Sequence, residues 1–205
     1  MNETQGQIEF KDLQVEYTEQ VAALHIQCIS TGFISSMGID FVTNLYEAIV
    51  QSNSSFGVVA VRNKKVLGFA TFTTNINTLY KAIIWRKGLK FALLLAGHIC
   101  SLKQVKKIFE TLFYPTRIKN KDFPSAELLS IAVAPEEQRK GLAGQLIEMG
   151  FRHYRETGAD KVKVLIGADN KAGNELYLKC GFEFAEQIIN HGLPSNIYVA
   201  QINHV

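Results

Sequence analysis

Seven residues past the middle of the chain, Gln138-Arg139-Lys140-Gly141-Leu142-Ala143-Gly144, have the make-up of an anion cradle. Gly141 and Gly144 carry no Cβ, so the backbone there can approach a ligand closely. Helical spacing follows: Leu146, Ile147, Gly150, Phe151 and Tyr154 share one face, with Gln145, Glu148, Arg152 and Arg155 off it. The loop therefore opens a helix. The first turn of a helix has N–H groups without intrahelical partners, and the dipole adds partial positive charge at that end. Arg139 and Lys140 add full charges. Together these suit a pyrophosphate. A solvated basic turn before an ordinary helix is the plainer alternative, because short glycine patterns recur by chance.

The flanking elements are legible. Residues 126 to 133, Ala-Glu-Leu-Leu-Ser-Ile-Ala-Val, read as a strand buried on at least one face, ended by Ala134-Pro135. Gly158 stands where a helix C-terminus favours a left-handed residue. From Lys161 to Gly167 lysines alternate with Val162, Val164 and Ile166, a strand pattern. A last stretch follows with Asn170, Gly173, Tyr177, Cys180, Gly181 and Phe182.

Two motifs in this order resemble the GCN5-related N-acetyltransferases. Gln138, Gly141 and Ala143 meet that family's Gln/Arg-x-x-Gly-x-Gly/Ala loop, and Asn170, Tyr177, Gly181 and Phe182 meet its second signature. Gly173 departs from the alanine common there. The close resemblance covers about residues 125 to 190. It implies an α/β (α+β) fold: a mixed central sheet, splayed at its middle strands and flanked by helices. It implies acetyl-CoA as cofactor and a primary amine as acceptor, attacked directly in a ternary complex. The cofactor would lie on Ile131, Ala132 and Val133 of the splayed strand, on the loop Gln138, Arg139, Lys140, Gly141, Leu142, Ala143 and Gly144, and on Asn170 and Tyr177. Tyr177 would act as general acid toward the leaving thiolate, or merely pack on the cofactor. Glu127 would take the proton of the ammonium, directly or through water, or serve as an edge carboxylate in a salt bridge.

The rest of the chain is read from its pattern. Its 205 residues suit one domain, 1–205, with an insertion. Cys28, Cys100 and Cys180 have no paired spacing, which argues against a zinc site or a disulfide framework and fits a reducing, cytoplasmic compartment. No metal is expected, and no signal peptide opens the chain. Residues 1–7 read as frayed and 8–15 as a first strand. Thr18 caps a helix to about Ser30, with Val21, Leu24, His25, Cys28 and Ile29 on one face. His25 is then a packing histidine or a group at the acceptor side. The loop from Gly32 and Phe33 to Gly38 is where the resemblance puts acceptor contacts. A second helix spans about 40–51, with Phe41, Leu45, Tyr46 and Ile49 inward. Residues 56–61 and 66–74 form a hairpin through Arg62-Asn63-Lys64-Lys65.

Residues 75–123 are longer than the family's usual connection and read as one or two extra helices, a basic cap; 102–113 is amphipathic. Between Lys81 and Lys121 there are ten Lys or Arg against one acid, Glu110, while the remainder carries 12 basic and 18 acidic residues. Such asymmetry marks a surface for an anionic acceptor, an anionic membrane contacted peripherally, or a solvated face. Nucleic acid is not expected, since no binding motif accompanies the charge. The pattern from His25 through the Thr31–Gly38 loop to Tyr46 is similar to acetyltransferases of bacterial surface-polysaccharide assembly, which makes a nucleotide-linked amino sugar the first acceptor to consider. Protein N-termini or lysines are the second. A non-catalytic CoA-binding or membrane-associated regulatory module is the reading from another class. A homodimer is among the partners the resemblance allows.

Overall fold

A computed structural model describes residues 6–30, 34–96, 123–190 and 192–202. In chain order the elements are β1 (Glu9–Asp12), α1 (Thr18–Cys28), α2 (Ile39–Val50), β2 (Ser55–Arg62), β3 (Lys65–Thr73), α3 (Ile76–Ala96), β4 (Glu127–Val133), α4 (Leu142–Thr157), β5 (Lys161–Gly167), α5 (Lys171–Lys179), β6 (Glu183–Asn190) and β7 (Leu193–Gln201). The strands form one seven-stranded sheet in the order β1-β2-β3-β4-β5-β7-β6. All neighbours are antiparallel except β4 and β5.

Two apolar layers cover the sheet. On one face, Leu142, Leu146, Ile147 and Phe151 of α4 pack with Leu67, Phe72, Leu128 and Val164. Burying each of these side chains is worth roughly 1.5–3 kcal/mol. The approach is close: a Cβ at Gly150 would lie 2.2 Å from Cζ of Phe72. On the other face, Val21 and Leu24 of α1, Val42, Tyr46 and Ile49 of α2, and Ile76 and Leu79 of α3 pack with Val59, Phe69 and Ala132.

The local signals account for most boundaries. Asn63 and Lys64 both have positive φ, 51° and 64°, the two-residue turn whose twist matches a hairpin. Gly158, at φ 75°, terminates α4 as expected. Thr18 differs from its expectation. It lies inside α1, and its hydroxyl donates back to the Val15 carbonyl at 2.7 Å while Tyr17 takes the cap position. A short 3-10 turn at Val15–Tyr17 leads straight into α1, which removes the extended residue a side-chain cap requires. Of the basic stretch before the central strand, α3 is a 21-residue helix; the helix expected at 102–113 lies outside the described residues.

Candidate active site

The parallel pair at the middle of the sheet barely pairs. Only Glu127 with Lys163 and Leu128 with Val164 are in register, after which β4 and β5 part. Leu129 is an extra residue in β4, because Thr71 faces Ser130 while Phe72 faces Leu128. A bulge of this kind bends a strand and re-aims its groups. Beyond it, the Ala134 N–H donates to the Leu67 carbonyl at 2.8 Å. Bonded pairs alternate in an antiparallel ladder. Ser130 and Ala132 therefore turn their peptide groups to β3, and Ile131 and Val133 turn theirs into the opening. Ala132 thus differs from its two neighbours in the expected cofactor set.

The basic loop lies at the open end of this gap. Gln138 donates from Nε2 to the Val133 carbonyl at 3.0 Å and so ties the loop to the strand. Arg139 (φ 61°) and Gly141 (φ 83°) are both left-handed. For Arg139 that conformation costs about 1–2 kcal/mol, the kind of strain retained at functional turns. Gly141 precedes α4, and no side chain caps that helix. The N–H groups of Leu142, Ala143 and Gly144 are in the uncapped first turn. Arg139, Lys140 and Gly141 are exposed. Lys140 also pairs with the buried Glu137 at 3.1 Å, beside Arg62. The Arg62 guanidinium, then Lys140, hold the Glu137 carboxyl below the usual range. The donor set therefore fits a pyrophosphate: uncapped N–H groups, glycine at the turn, and exposed cations.

Asn170 stands just before α5, the helix that follows β5, and Tyr177 lies within that helix. Asn170 caps α5, accepting the Gly173 N–H at 3.0 Å on Oδ1. A Cβ at Gly173 would lie 2.2 Å from Cδ1 of Ile166, so the β5 isoleucine occupies the space a side chain at 173 would need. Tyr177 is buried, its ring against Phe182 and Tyr198 at 5.4 and 6.3 Å. Burial pushes its phenol above the ordinary value, so it keeps its proton at neutral pH. Cys180 packs beside the loop helix, as a side chain of the larger core.

Glu127 lies at the closed end of the gap. Its carboxylate is 3.1 Å from the Lys163 ammonium, which also donates to the Pro124 carbonyl at 2.6 Å. Both side chains are buried. The strand alternation that revealed β5 gave no hint that Lys163 would be inside.

On the opposite face three polar groups meet. His25 Nδ1 is 2.6 Å from the Tyr46 hydroxyl and 3.4 Å from Ser130 Oγ, and Tyr46 donates to Ser130 at 3.3 Å. His25 is stacked on Phe69 and only 5% exposed. Burial lowers its pKa to about 4, so it is neutral at pH 7. Ser130, half-buried where β4 leaves β5, was not singled out from sequence. The one signal was a hydroxyl in a strand whose other residues, Glu127 apart, are apolar. Asn174 was also missed: it joins Gly167 of β5 to Asn196 and Tyr198 of β7 through both ends of its amide. Gly32 and Phe33 lie outside the described residues.

The chain belongs to the acetyltransferase (GNAT) family, whose model matches residues 22–182. Among curated relatives, a mycothiol acetyltransferase of Kytococcus sedentarius is 31% identical over 71 residues, 35% of this chain and 24% of that protein. The chloroplastic GCN5-related N-acetyltransferase 7 of Arabidopsis thaliana is 39% identical over 62 residues, 30% of this chain and 23% of that protein. The matches thus span about a quarter of those relatives' length. The fold extends over nearly everything. The Escherichia coli ribosomal-protein-S18-alanine N-acetyltransferase superposes with a TM-score of 0.61 at 16% identity, covering 97% of this chain and 96% of its own. The Thermoplasma acidophilum PaiA N-acetyltransferase, solved with coenzyme A, gives 0.60 at 15% identity, covering 95% and 99%.

Proposed function

We propose that this protein transfers an acetyl group from acetyl-CoA to the primary amine of a small molecule, by direct attack with both reactants bound. One observation carries the reading: β4 and β5 separate two residues after they meet, and the separated edge leads to an uncapped, basic helix start. Acetyl-CoA, when bound, supplies a thioester carbonyl as electrophile and a thiol as leaving group. The first turn of α4, with Arg139 and Lys140, would hold its pyrophosphate. The outward N–H groups of Ile131 and Val133 are fixed donors in the gap, where preorganised donors stabilise developing negative charge. Tyr177, a phenol that keeps its proton at neutral pH, would serve as the acid toward the leaving thiolate, the role the family resemblance implies for it.

Reception of the amine falls to Ser130, which Tyr46 and His25 hold in place. Glu127 is engaged by Lys163, and this supports an anchoring role for it over proton removal. The acceptor is anionic in this proposal, with a nucleotide-linked amino sugar as first choice; the basic segment that begins in α3 would favour it, and similarity to mycothiol acetyltransferases supports a small acceptor. The test is thiol release from acetyl-CoA over nucleotide amino sugars, peptides, polyamines and amino acids. Turnover confined to anionic sugars is the expected result. Turnover on peptides alone would replace the acceptor, and acetyl-CoA binding without turnover on any amine would leave a regulatory module in place of an enzyme.

A further inference from the structure

The outward face of α3 breaks the rule for a surface helix. Such a helix buries an apolar stripe and presents polar residues to water. The inward stripe is as expected: Ile76 and Leu79 are buried, Tyr80 and Ile83 pack beside them, and Phe91 meets Phe41 at 4.8 Å between ring centroids. The helix is also tethered, since Lys87 pairs with Glu47 and Arg86 donates to the Gln51 carbonyl of the turn after α2. Yet Trp85 is 88% exposed, Leu89 79% and Ile84 54%. Trp85 and Leu89 are four residues apart and Ile84 adjoins them, so they make one patch.

Lys81 and Lys90 are exposed at the two ends of that patch, and no acidic residue occurs between Ile76 and Phe91. An aromatic and aliphatic patch rimmed by lysines is the pattern of a surface resting in the headgroup layer. The rings and chains enter the acyl boundary and the ammonium groups meet lipid phosphates. No helix among the described residues is long and apolar enough to cross a membrane, so the contact would be a peripheral one. We propose that α3 docks this protein on an anionic lipid surface through Trp85, Leu89 and Ile84, with Lys81 and Lys90 on the phosphates. The proposal does not rest on the identity of the acceptor amine.

Trp85 is the single tryptophan of the chain, so its emission reads the patch directly. Full-length protein is titrated with vesicles of mixed phosphatidylglycerol and phosphatidylcholine, and separately with phosphatidylcholine alone. Emission is expected to start at the long wavelength of a solvated indole and to move to the blue with anionic vesicles only, and added salt is expected to reverse the shift. Each lysine near such a surface contributes roughly fivefold in partitioning, so Lys81→Gln with Lys90→Gln lowers cosedimentation about thirtyfold. Trp85→Ala with Leu89→Ser abolishes it. These side chains are exposed, and an unchanged thermal midpoint shows that each variant remains folded. Blue emission in buffer alone would overturn the proposal, because another part of the chain, or a second copy revealed by sedimentation, would then cover the patch. Equal binding to both vesicle types, or binding to neither, would overturn it as well.

Discussion

Lys163→Met is the substitution that most directly tests how the central gap is built. The side chains of Lys163 and Glu127 are 2% and 8% exposed, with the ammonium 3.1 Å from the carboxylate. Removing the ammonium leaves a carboxylate inside the sheet without that cation, a change that costs about 3–5 kcal/mol. At roughly 2.1 cal/mol/K per residue, a 205-residue chain has an unfolding entropy of about 0.43 kcal/mol/K, so the thermal midpoint should fall by about 7–12 °C. Replacing both partners, Lys163→Met with Glu127→Leu, removes the carboxylate as well and should return most of the loss, since a buried pair exchanged for apolar residues is often neutral or better. Urea denaturation and calorimetry at neutral pH measure both. A single variant that loses under about 1 kcal/mol, or a double variant no better than the single, would refute the reasoning. Turnover of the double variant, measured below its midpoint, separates the two roles open to Glu127. An anchor leaves kcat within a few fold, whereas a proton acceptor loses a hundredfold or more.

Three further expectations follow from the geometry. Tyr177→Phe should lower kcat by about 10²–10⁴ while acetyl-CoA affinity, read by calorimetric titration, changes little; an unchanged kcat would reduce Tyr177 to packing. His25 has its folded pKa lowered by burial from 6.5 to about 4. The unfolded chain therefore binds the proton more readily, and stability is full above about pH 6.5 and lost as pH falls toward 4. The loss is about 3 kcal/mol at 1.36 kcal/mol per unit. His25→Gln should flatten that part of the stability–pH curve, and a slope unchanged by the substitution would assign the acid sensitivity to other groups. Gly141→Ala places a Cβ at φ 83° and should cost about 1–2 kcal/mol of stability. It should also weaken acetyl-CoA binding, since the turn that starts α4 relaxes, so an affinity equal to wild type would remove the loop from the cofactor site.

Much of this protein is written in local patterns. The apolar spacing from Leu146 to Tyr154 specifies α4 and its buried face, and Gly158 specifies its end, because helix periodicity and left-handed backbone are properties of a few adjacent residues. The hairpin through Asn63 and Lys64 is legible for the same reason. The loop from Gln138 to Gly144, with Asn170 and Tyr177, was legible because its residue types and spacing form two ordered motifs. Tertiary structure decided what depends on pairs far apart in the chain. The extra residue at Leu129 exists only in the register between β3 and β4, and it alone turns Ile131 and Val133, but not Ala132, toward the gap. Lys163 looked like one of a row of alternating lysines until β4 supplied Glu127 beside it. Ser130 looked like an accident in a largely apolar strand until His25, 105 residues away, and Tyr46, 84 away, met it across the sheet face. Hydrogen-bond registry and burial are properties of partners that only folding brings together, so residue order determined the elements and their packing determined the chemistry they can offer.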